Sequence, residues 1–391
     1  MTRNLLFIDQ FGHFGGAQHV LLETLKSLDS SQFRYHVALN GPGPFKEALM
    51  KMGVKVVDLP LGNYNSAKKT LSDALRFGIR TLLCTLVLAR HARRWKCDLL
   101  YANGPRTFVS AVMAGCLLRR RVIWHLHNVL TNQAEIRLLL FFSSRVSKII
   151  VCSHAVAAPL LAGIPQLKTK IRVLYNPHPD WDWAPPANHG PRSREEQDVK
   201  ESHFRFGILG RITPFKGQKE FLKAAESIVE QVPEARFFVI GSPVPGDTVG
   251  ISYQAELGEQ VRNTALESRT FFLPHQASIR ERVESLDAVV NASTGPEALP
   301  QSLIEAMFLS KPVIAPAQGG PLEMIEDSVT GLLYRPYDEA ALARRMLDLL
   351  RSPELVRQLG LRARVKAMEQ FSRPRFQRAM MEELACCPGG P

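Results

Sequence analysis

The sequence predicts an α/β protein built from two doubly wound, mostly parallel domains. Short and nearly continuous apolar segments alternate with segments of helical length, which is typical of parallel strands buried on both faces. The alternation stops in a Pro-rich and charged stretch between residues 177 and 202 and then starts again, which indicates a linker between two domains. With 391 residues and 45% hydrophobic content, the chain is large enough to fill two separate cores.

The N-terminal domain is predicted to cover residues 1–178. Its strands are expected at residues 4–9, 35–40, 54–59, 99–102, 122–127, 148–153 and 171–176. Two apolar stretches, residues 82–89 and 108–118, are too short to cross a bilayer, so we expect them to be buried helices. The helix expected over residues 134–147 is apolar with basic flanks, and it is either buried in the domain or docked on a membrane.

A linker is predicted over residues 179–203, followed by a C-terminal domain over residues 204–371. The strands of this domain are expected at residues 204–210, 235–241, 270–273, 288–293, 312–317 and 331–334. Helices are expected at residues 218–231, 339–350 and 353–370, and a Gly- and Pro-rich loop at residues 242–252. Residues 372–391 should form a last helix, over 374–384, and a tail. Whether this segment returns to the N-terminal domain is open.

The most informative stretch follows the strand expected at residues 288–293. Glu297 lies in a turn that contains Gly and Pro, and Glu305 lies eight positions later in the next helix, for which Pro300 suits the first turn. A carboxylate near a helix N-terminus can hold hydroxyl groups, and backbone N–H groups nearby can hold an anion. The two residues can therefore bind a phosphorylated polyol, although each Glu taken alone is more simply a solvated acid.

A second segment, about eighty residues upstream, supplies two cations. The strand expected at residues 204–210 runs into Arg211, and Lys216 comes just before the next helix. The turn between the carboxyl end of a strand and the following helix is where α/β sheets bind phosphates. Arg211 and Lys216 are therefore candidates for binding a phosphate or a diphosphate.

The order Gly-Arg, Lys-Gly and then two Glu eight positions apart resembles the retaining glycosyltransferases of sequence family 4. These enzymes use nucleotide sugars and have the two-domain GT-B fold. The resemblance covers nearly the whole chain and is most specific between residues 210 and 331. It implies two Rossmann-like domains that face a central cleft, an acceptor bound by the N-terminal domain, a nucleotide sugar bound by the C-terminal domain, and no cofactor.

The resemblance also implies roles for single residues. Arg211 and Lys216 would neutralise the diphosphate as it leaves, where charge develops in the transition state. Glu305 would accept hydrogen bonds from the ribose hydroxyls, and Glu297 would hold the hydroxyls of the transferred sugar. The turn between the two acids would complete the nucleotide-sugar site with Ala298, Leu299 and Pro300.

Two features of the N-terminal domain match the same family. Gly15 and Gly16 follow the first strand, and a Gly-Gly in this position lies beside the diphosphate and the acceptor in the family; taken alone, it indicates only a turn. Alternation along residues 122–127 places His125 and His127 on one face, without a third residue at metal-ligand spacing. A His at the end of this strand contacts the donor sugar in the family, and His127 matches better than His125.

No metal site is predicted. Asp180 and Asp182 look like the Asp-x-Asp metal motif of a different glycosyltransferase fold, but they lie in the expected linker, and GT-B enzymes generally do without that metal. The six cysteines show no metal-ligand spacing and favour a reducing compartment. No signal peptide precedes the first strand, so we expect a cytoplasmic protein, on the inner face of a membrane if it is peripheral.

Charge is distributed unevenly between the two domains. Residues 1–178 hold 24 Lys and Arg against 8 Asp and Glu, whereas the remaining residues hold 25 against 29. A strongly basic half is either a generally basic surface or a surface for an anionic partner such as a membrane. The sequence shows no zinc finger, helix-turn-helix or basic motif interleaved with aromatics, so we expect no nucleic acid partner.

The expected function is transfer of a sugar from a nucleotide diphosphate sugar to a glycan or a lipid-linked acceptor, with retention of anomeric configuration. A UDP-sugar is favoured, and a GDP-sugar is open. The alternatives are a sugar-nucleotide epimerase of the same fold and an inactive sugar-nucleotide-binding protein, although the presence of Arg211, Lys216, Glu297 and Glu305 argues against inactivity. A phosphorylase of this fold would need a pyridoxal phosphate lysine, which we cannot place.

Overall fold

The computed structural model describes residues 2–62, 71–178, 203–244, 247–274 and 279–385. The chain divides into two compact units: Met1–Pro177 together with Arg373–Pro391 forms the first, and His178–Ser372 forms the second. The expected linker lies outside the described residues except for His203, and Asp180 and Asp182 lie outside them as well.

The first unit is a seven-stranded parallel sheet covered by helices. Its strands are β1 (Arg3–Asp9), β2 (Phe33–Leu39), β3 (Val56–Asp58), β4 (Leu99–Asn103), β5 (Arg121–Leu126), β6 (Lys148–Val151) and β7 (Ile171–Val173). They lie in the order β3-β2-β1-β4-β5-β6-β7. The helices are α1 (Gly16–Ser27), α2 (Pro44–Lys51), α3 (Leu71–Arg94), α4 (Phe108–Leu118), α5 (Gln133–Ser143) and α6 (His154–Gly163).

Burial on both faces explains why these strands read as continuous apolar runs. Leu5, Leu6, Phe7 and Ile8 of β1 are all fully buried, although consecutive residues of a strand point to opposite faces. Both faces of the sheet are therefore covered by helices, as expected for parallel strands.

Two helices of the first unit differ from expectation. The apolar stretch at residues 82–89 is part of α3 but is not simply buried, because Leu82, Leu83 and Leu86 are all about half exposed. The helix expected over residues 134–147 ends at Ser143. Apolar composition identified both helices, but it does not say which face another element covers.

The second unit is a six-stranded parallel sheet with its own helices. Its strands are β8 (Phe204–Leu209), β9 (Ala235–Ile240), β10 (Thr270–Leu273), β11 (Ala288–Val290), β12 (Val313–Pro316) and β13 (Leu332–Tyr334). They lie in the order β10-β9-β8-β11-β12-β13. The helices are α7 (Gln218–Ile228), α8 (Thr248–Val261), α9 (Ile279–Glu284), α10 (Gln301–Phe308), α11 (Pro321–Met324), α12 (Glu339–Arg351) and α13 (Pro353–Gln370).

The prediction of thirteen strands in two parallel sheets is confirmed, with strand ends that differ by up to three residues. The loop expected at residues 242–252 is wrong in its second part, because α8 begins at Thr248. One glycine of this stretch, Gly250, is buried, and a Cβ there would lie 2.9 Å from the backbone oxygen of Ile212. This Gly serves close packing rather than a turn.

The last helix of the chain, α14 (Arg373–Ala385), belongs to the first unit. Phe376, Met380 and Leu384 are buried in the hydrophobic core of that unit. At the start of the helix, an Nη2 atom of Arg373 lies 2.6 Å from Oε2 of the buried Glu23. Among the described helices, none combines the length and the apolar character that a membrane span requires.

Candidate functional site

The cations of the second unit lie in the turn that joins β8 to α7. A short 3-10 turn over Pro214–Lys216 ends at Gly217, which has a left-handed backbone with φ of 72°. A Cβ on Gly217 would lie 1.7 Å from the backbone oxygen of Ala292, just after β11. Only Gly lets the two segments approach so closely, and this approach places Lys216 beside the residues that follow β11.

Lys216 and Glu297 form an ion pair, with Nζ 2.7 Å from Oε2. The other carboxylate oxygen of Glu297 accepts hydrogen bonds from Nδ2 of Asn291, at 2.8 Å, and from the hydroxyl of Ser293. Glu297 is only 9% exposed. Each carboxylate oxygen therefore has a partner, as a buried charge requires.

The surroundings of Glu297 favour its charged form. Burial by itself would raise the pKa of this carboxyl, but the charge of Lys216 and the hydrogen bonds from Lys216, Ser293 and Asn291 outweigh burial and hold the pKa below its ordinary value. Glu297 is thus an anion at neutral pH, fixed in place and paired with a cation.

Glu305 is the opposite case. It lies in α10, its side chain is half-buried, and within the described part of the chain no hydrogen bond or ion pair is made by its carboxyl group. Burial without a partner raises the pKa of Glu305 to about 8. A carboxyl group in this state is suited to accept hydrogen bonds from a ligand, because a hydroxyl donor would relieve the cost of its charge.

The other residues predicted for this site are Arg211 and the three residues that follow Glu297. Arg211 follows β8 and is exposed. Pro300 lies one residue before α10, at its N-cap position, rather than in its first turn. The backbone N–H groups of Ala298 and Leu299 have no hydrogen-bond acceptor within the described residues, so they can take an anion or a hydroxyl.

A second glycine turn supports the backbone of Glu297 from the other side. Gly319 has φ of 63°, and a Cβ there would lie 2.5 Å from the backbone oxygen of Glu297. The N–H of Gly320 donates to that oxygen at 2.8 Å. This glycine pair therefore packs directly against the turn that carries Glu297.

The first unit has a separate polar cluster at the carboxyl ends of β1, β4 and β5. Asp9 is fully buried and accepts hydrogen bonds from Nε2 of Gln18, at 2.8 Å, and from Nδ2 of Asn103, at 2.6 Å. Nε2 of His127 lies 2.7 Å from Oδ1 of Asn103. Burial raises the pKa of Asp9 to about 6, although its hydrogen bonds oppose the rise.

His125 and His127 lie on one face, as alternation predicted, with ring centroids 3.9 Å apart. Nδ1 of His125 lies 2.6 Å from the hydroxyl of Tyr101. Burial lowers the pKa of His127 to about 3, and burial together with the neighbouring His127 lowers the pKa of His125 far below its ordinary value. Both rings are therefore neutral at pH 7 and act through their nitrogen lone pair and N–H group.

Gly15 and Gly16 lie at the start of α1, and both are exposed. Gly15 has an extended backbone, and a Cβ on Gly16 would meet no atom of the described chain within 4 Å. Local packing therefore does not explain Gly16, and the space beside it is open to a ligand.

The structure brings two of the predicted residues into direct contact and reveals hydrogen-bond partners that the sequence did not predict. It pairs Lys216 with Glu297 and leaves Arg211 and Glu305 apart from that pair. Sequence reasoning missed the partners of the two clusters, which are Asn291, Ser293, Asp9, Gln18 and Asn103. A signal was present, because Asp9 and Asn103 are polar residues that end apolar strands, and Asn291 and Ser293 interrupt an apolar run.

Comparison with solved structures assigns the two parallel α/β units to the GT-B class of glycosyltransferase folds. Crystal structures of Anabaena Alr3699/HepE, one in complex with UDP and glucose and one with UDP-glucose, match with a TM-score of 0.81 and 25% identity, over 98% of this chain and 99% of theirs. Residues 14–179 match the model of glycosyltransferase family 4, and residues 191–366 match the model of glycosyl transferases group 1. The chain belongs to this family of glycosyltransferases.

Curated relatives match over shorter segments. The putative glycosyltransferase EpsD of Bacillus subtilis (strain 168) is 31% identical over 194 residues, which is 50% of this chain and 47% of that protein. The spore coat protein SA of the same organism is 27% identical over 237 residues, 58% of this chain and 61% of that protein. The chain thus spans about half to three fifths of the length of these relatives.

Proposed function

We propose that the chain transfers a sugar from a nucleotide diphosphate sugar to a glycan or a lipid-linked acceptor, with retention of anomeric configuration. The observation that carries this proposal is the composition of the site in the second unit. A fixed anion, Glu297, is paired with Lys216. Arg211 is exposed just after β8, and Glu305, whose carboxyl has no partner within the described residues, lies in α10, the helix that follows β11. Such a site combines cations for phosphates with acceptors for hydroxyl groups.

Each group has a proposed task toward the donor. Arg211 and Lys216 neutralise the leaving diphosphate, because its charge grows in the transition state. Glu305 accepts hydrogen bonds from the ribose hydroxyls. Glu297 holds Lys216 in position and accepts from the hydroxyls of the transferred sugar, while the free N–H groups of Ala298 and Leu299 add donors.

The polar cluster of the first unit is proposed to bind sugar as well. His127 is neutral, and its Nδ1 atom is buried and has no hydrogen-bond partner within the described residues. That lone pair can accept from a sugar hydroxyl. The open space beside Gly16 leaves room for a phosphate or an acceptor.

A uridine nucleotide is the proposed donor base, and a GDP-sugar is the next choice. Support comes from the HepE structures, which contain UDP with glucose or UDP-glucose. The basic character of residues 1–178 supports an acceptor that is itself anionic or lies at a cytoplasmic membrane surface.

The proposal is tested by donor binding and then by product analysis. Thermal shifts with UDP-, GDP- and ADP-sugars should rank the UDP-sugar first, because a ligand that binds only the folded state raises its melting temperature. NMR of the product made with a lipid-linked or oligosaccharide acceptor should show the anomeric configuration of the donor. An epimerised donor formed without any acceptor would instead identify an epimerase, and donor binding without any reaction would identify an inactive binding protein.

A further inference from the structure

Helix α3 of the first unit carries a row of exposed apolar side chains. The row consists of Leu75, Ile79, Leu82, Leu83 and Leu86, which are 67%, 53%, 52%, 46% and 55% exposed. Steps of three and four residues place these side chains on one face of the helix. We call this row the α3 stripe.

The fold does not need the α3 stripe for its core. The opposite face of α3 already supplies buried residues that pack in the first unit, among them Cys84, Leu88 and Ala92. Single exposed apolar residues are ordinary on a protein surface, whereas a continuous apolar row marks a surface that contacts a partner. α3 is therefore apolar on two sides, and only one of them is covered by the part of the unit that the structure describes.

The charges on α3 are almost all positive. Arg76, Arg90, Arg93 and Arg94 are exposed on this helix, and Asp73 is the one acidic residue in its sequence. Arg80 has a structural use, because its guanidinium donates to the backbone oxygen of Leu61 at 3.3 Å. A helix with a large apolar face and several arginines is the type that lies in the interface of an anionic bilayer.

We propose that the α3 stripe is the surface by which the chain docks on an anionic lipid bilayer. The apolar row enters the interface, and the arginines meet the lipid phosphates. A second copy of the chain fits the stripe less well, because each α3 carries five arginines against one acidic residue and two such helices repel each other. The inference rests on the proposed function in one respect: docking on a membrane would bring the enzyme close to a lipid-linked acceptor.

The sequence favoured a different helix for this role, α5 with its basic flanks. In the structure α5 exposes Leu138 and Phe141, at 38% and 77%, but buries Ile136 and Leu139. It offers two large apolar side chains to solvent, where α3 offers five in one row. The exposed surface therefore favours α3 as the docking element.

The test is vesicle co-sedimentation of the full chain and three triple variants, two that change apolar side chains and one that changes arginines. The stripe variant carries Ile79→Ser, Leu82→Ser and Leu86→Ser. The control variant carries Leu361→Ser, Val365→Ser and Met368→Ser in α13, which removes three apolar side chains that are also about half exposed. Vesicles contain phosphatidylcholine alone or with about one third phosphatidylglycerol, at low and high salt.

The unaltered chain and the control variant should bind the anionic vesicles and release them at high salt. The stripe variant should bind at least about tenfold more weakly, because three side chains no longer enter the interface. The variant Arg76→Gln, Arg90→Gln, Arg94→Gln should lose most of the dependence on phosphatidylglycerol. Melting temperatures of all variants near that of the unaltered chain confirm that each is folded.

Three outcomes would overturn the proposal: no binding of the unaltered chain to anionic vesicles, equal binding of the stripe and control variants, or a dimer in light scattering that the stripe variant abolishes. Sugar transfer to a water-soluble acceptor should be the same for the stripe variant and the unaltered chain. Membrane binding and sugar transfer can thus fail independently, which separates this inference from the proposed function.

Discussion

Nε2 of His127 lies 2.7 Å from Oδ1 of Asn103, and Nδ2 of Asn103 donates to the buried carboxyl of Asp9 at 2.6 Å. Since Asp9 takes the amide N–H of Asn103, the amide oxygen faces the imidazole, and Nε2 of His127 must carry the proton. The neutral ring then presents its other nitrogen, Nδ1, as a lone pair. Asp9 and Asn103 therefore set the tautomer in which His127 can accept a hydroxyl hydrogen bond but cannot donate one from Nδ1.

The first prediction concerns this tautomer. In ¹⁵N-histidine NMR of the unaltered chain, His127 should be neutral at pH 7 with its proton on Nε2, and should stay neutral until the pH approaches its lowered pKa of about 3. Asn103→Ala should give a mixture of tautomers and raise the KM for the donor more than it lowers kcat. Asn132→Ala, which removes only the cap of α5, is the control. A proton on Nδ1 in the unaltered chain would refute the assignment.

The second prediction compares the two cations of the β8–α7 turn. Lys216→Ala and Arg211→Ala should each cost about 2–4 kcal/mol of transition-state stabilisation, because each removes a charge from the leaving diphosphate. Their effects on stability should differ. Arg211 is exposed, so its loss should change the free energy of unfolding by less than about 0.5 kcal/mol. Lys216→Ala should cost about 3 kcal/mol, because the buried Glu297 loses its counter-charge.

Urea unfolding measures this difference, and a double variant is the control. Lys216→Met with Glu297→Gln removes both charges, so it should recover most of the stability lost in Lys216→Ala without recovering transfer. If Lys216→Ala were as stable as Arg211→Ala, the ion pair would not be important for the fold.

The third prediction separates the two acids of the site. Above about pH 8, where the carboxyl of Glu305 is ionised, Glu305→Gln should weaken binding of free UDP, because a neutral amide accepts ribose hydroxyls less strongly than a carboxylate. Glu297→Gln should mainly lower turnover with the intact donor, since its carboxylate is engaged by Lys216, Asn291 and Ser293. Calorimetry with UDP compares the two variants. Equal losses of UDP affinity would contradict the division of roles.

The fourth prediction is a pH dependence from Glu305. Its carboxyl keeps its proton up to about pH 8 in the folded chain but loses it near the ordinary value of 4.5 in the unfolded chain. Between these values the folded state binds more protons, so the contribution of this group to stability falls as pH rises and is lost above about pH 8. Melting curves should show Glu305→Gln gaining stability relative to the unaltered chain across this window.

The same titration should appear in ligand binding. Ribose hydroxyls favour the ionised carboxyl, so uridine should bind more tightly as pH rises toward 8 and should release a proton on binding. Glu305→Gln serves as the control and should show neither effect. If the uridine affinities of the unaltered chain and of Glu305→Gln differed by the same factor at every pH, the ribose would not bind at Glu305.

The positions of strands and helices could be predicted because hydrophobic patterning is local. The central strands of the two sheets, such as β4, β11 and β12, are apolar runs whose residues are buried on both faces, and such a run is recognisable without knowledge of its neighbours. The turns that carry Lys216 and Glu297 were predictable for a related reason. A Gly-bearing turn after a parallel strand is a local signal, and the carboxyl ends of parallel strands share one edge of a sheet.

The partners of these residues were decided by tertiary structure alone. Lys216 and Glu297 are 81 residues apart and meet because β8 and β11 are adjacent in the sheet. Sequence pattern does not reveal that the half-buried carboxyl of Glu305 has no partner within the described residues, nor that Asp9 reaches His127 through Asn103. It also marked α3 as apolar without showing which face stays uncovered. Contacts and burial depend on which elements become neighbours, and that choice is made by the packing of the whole domain.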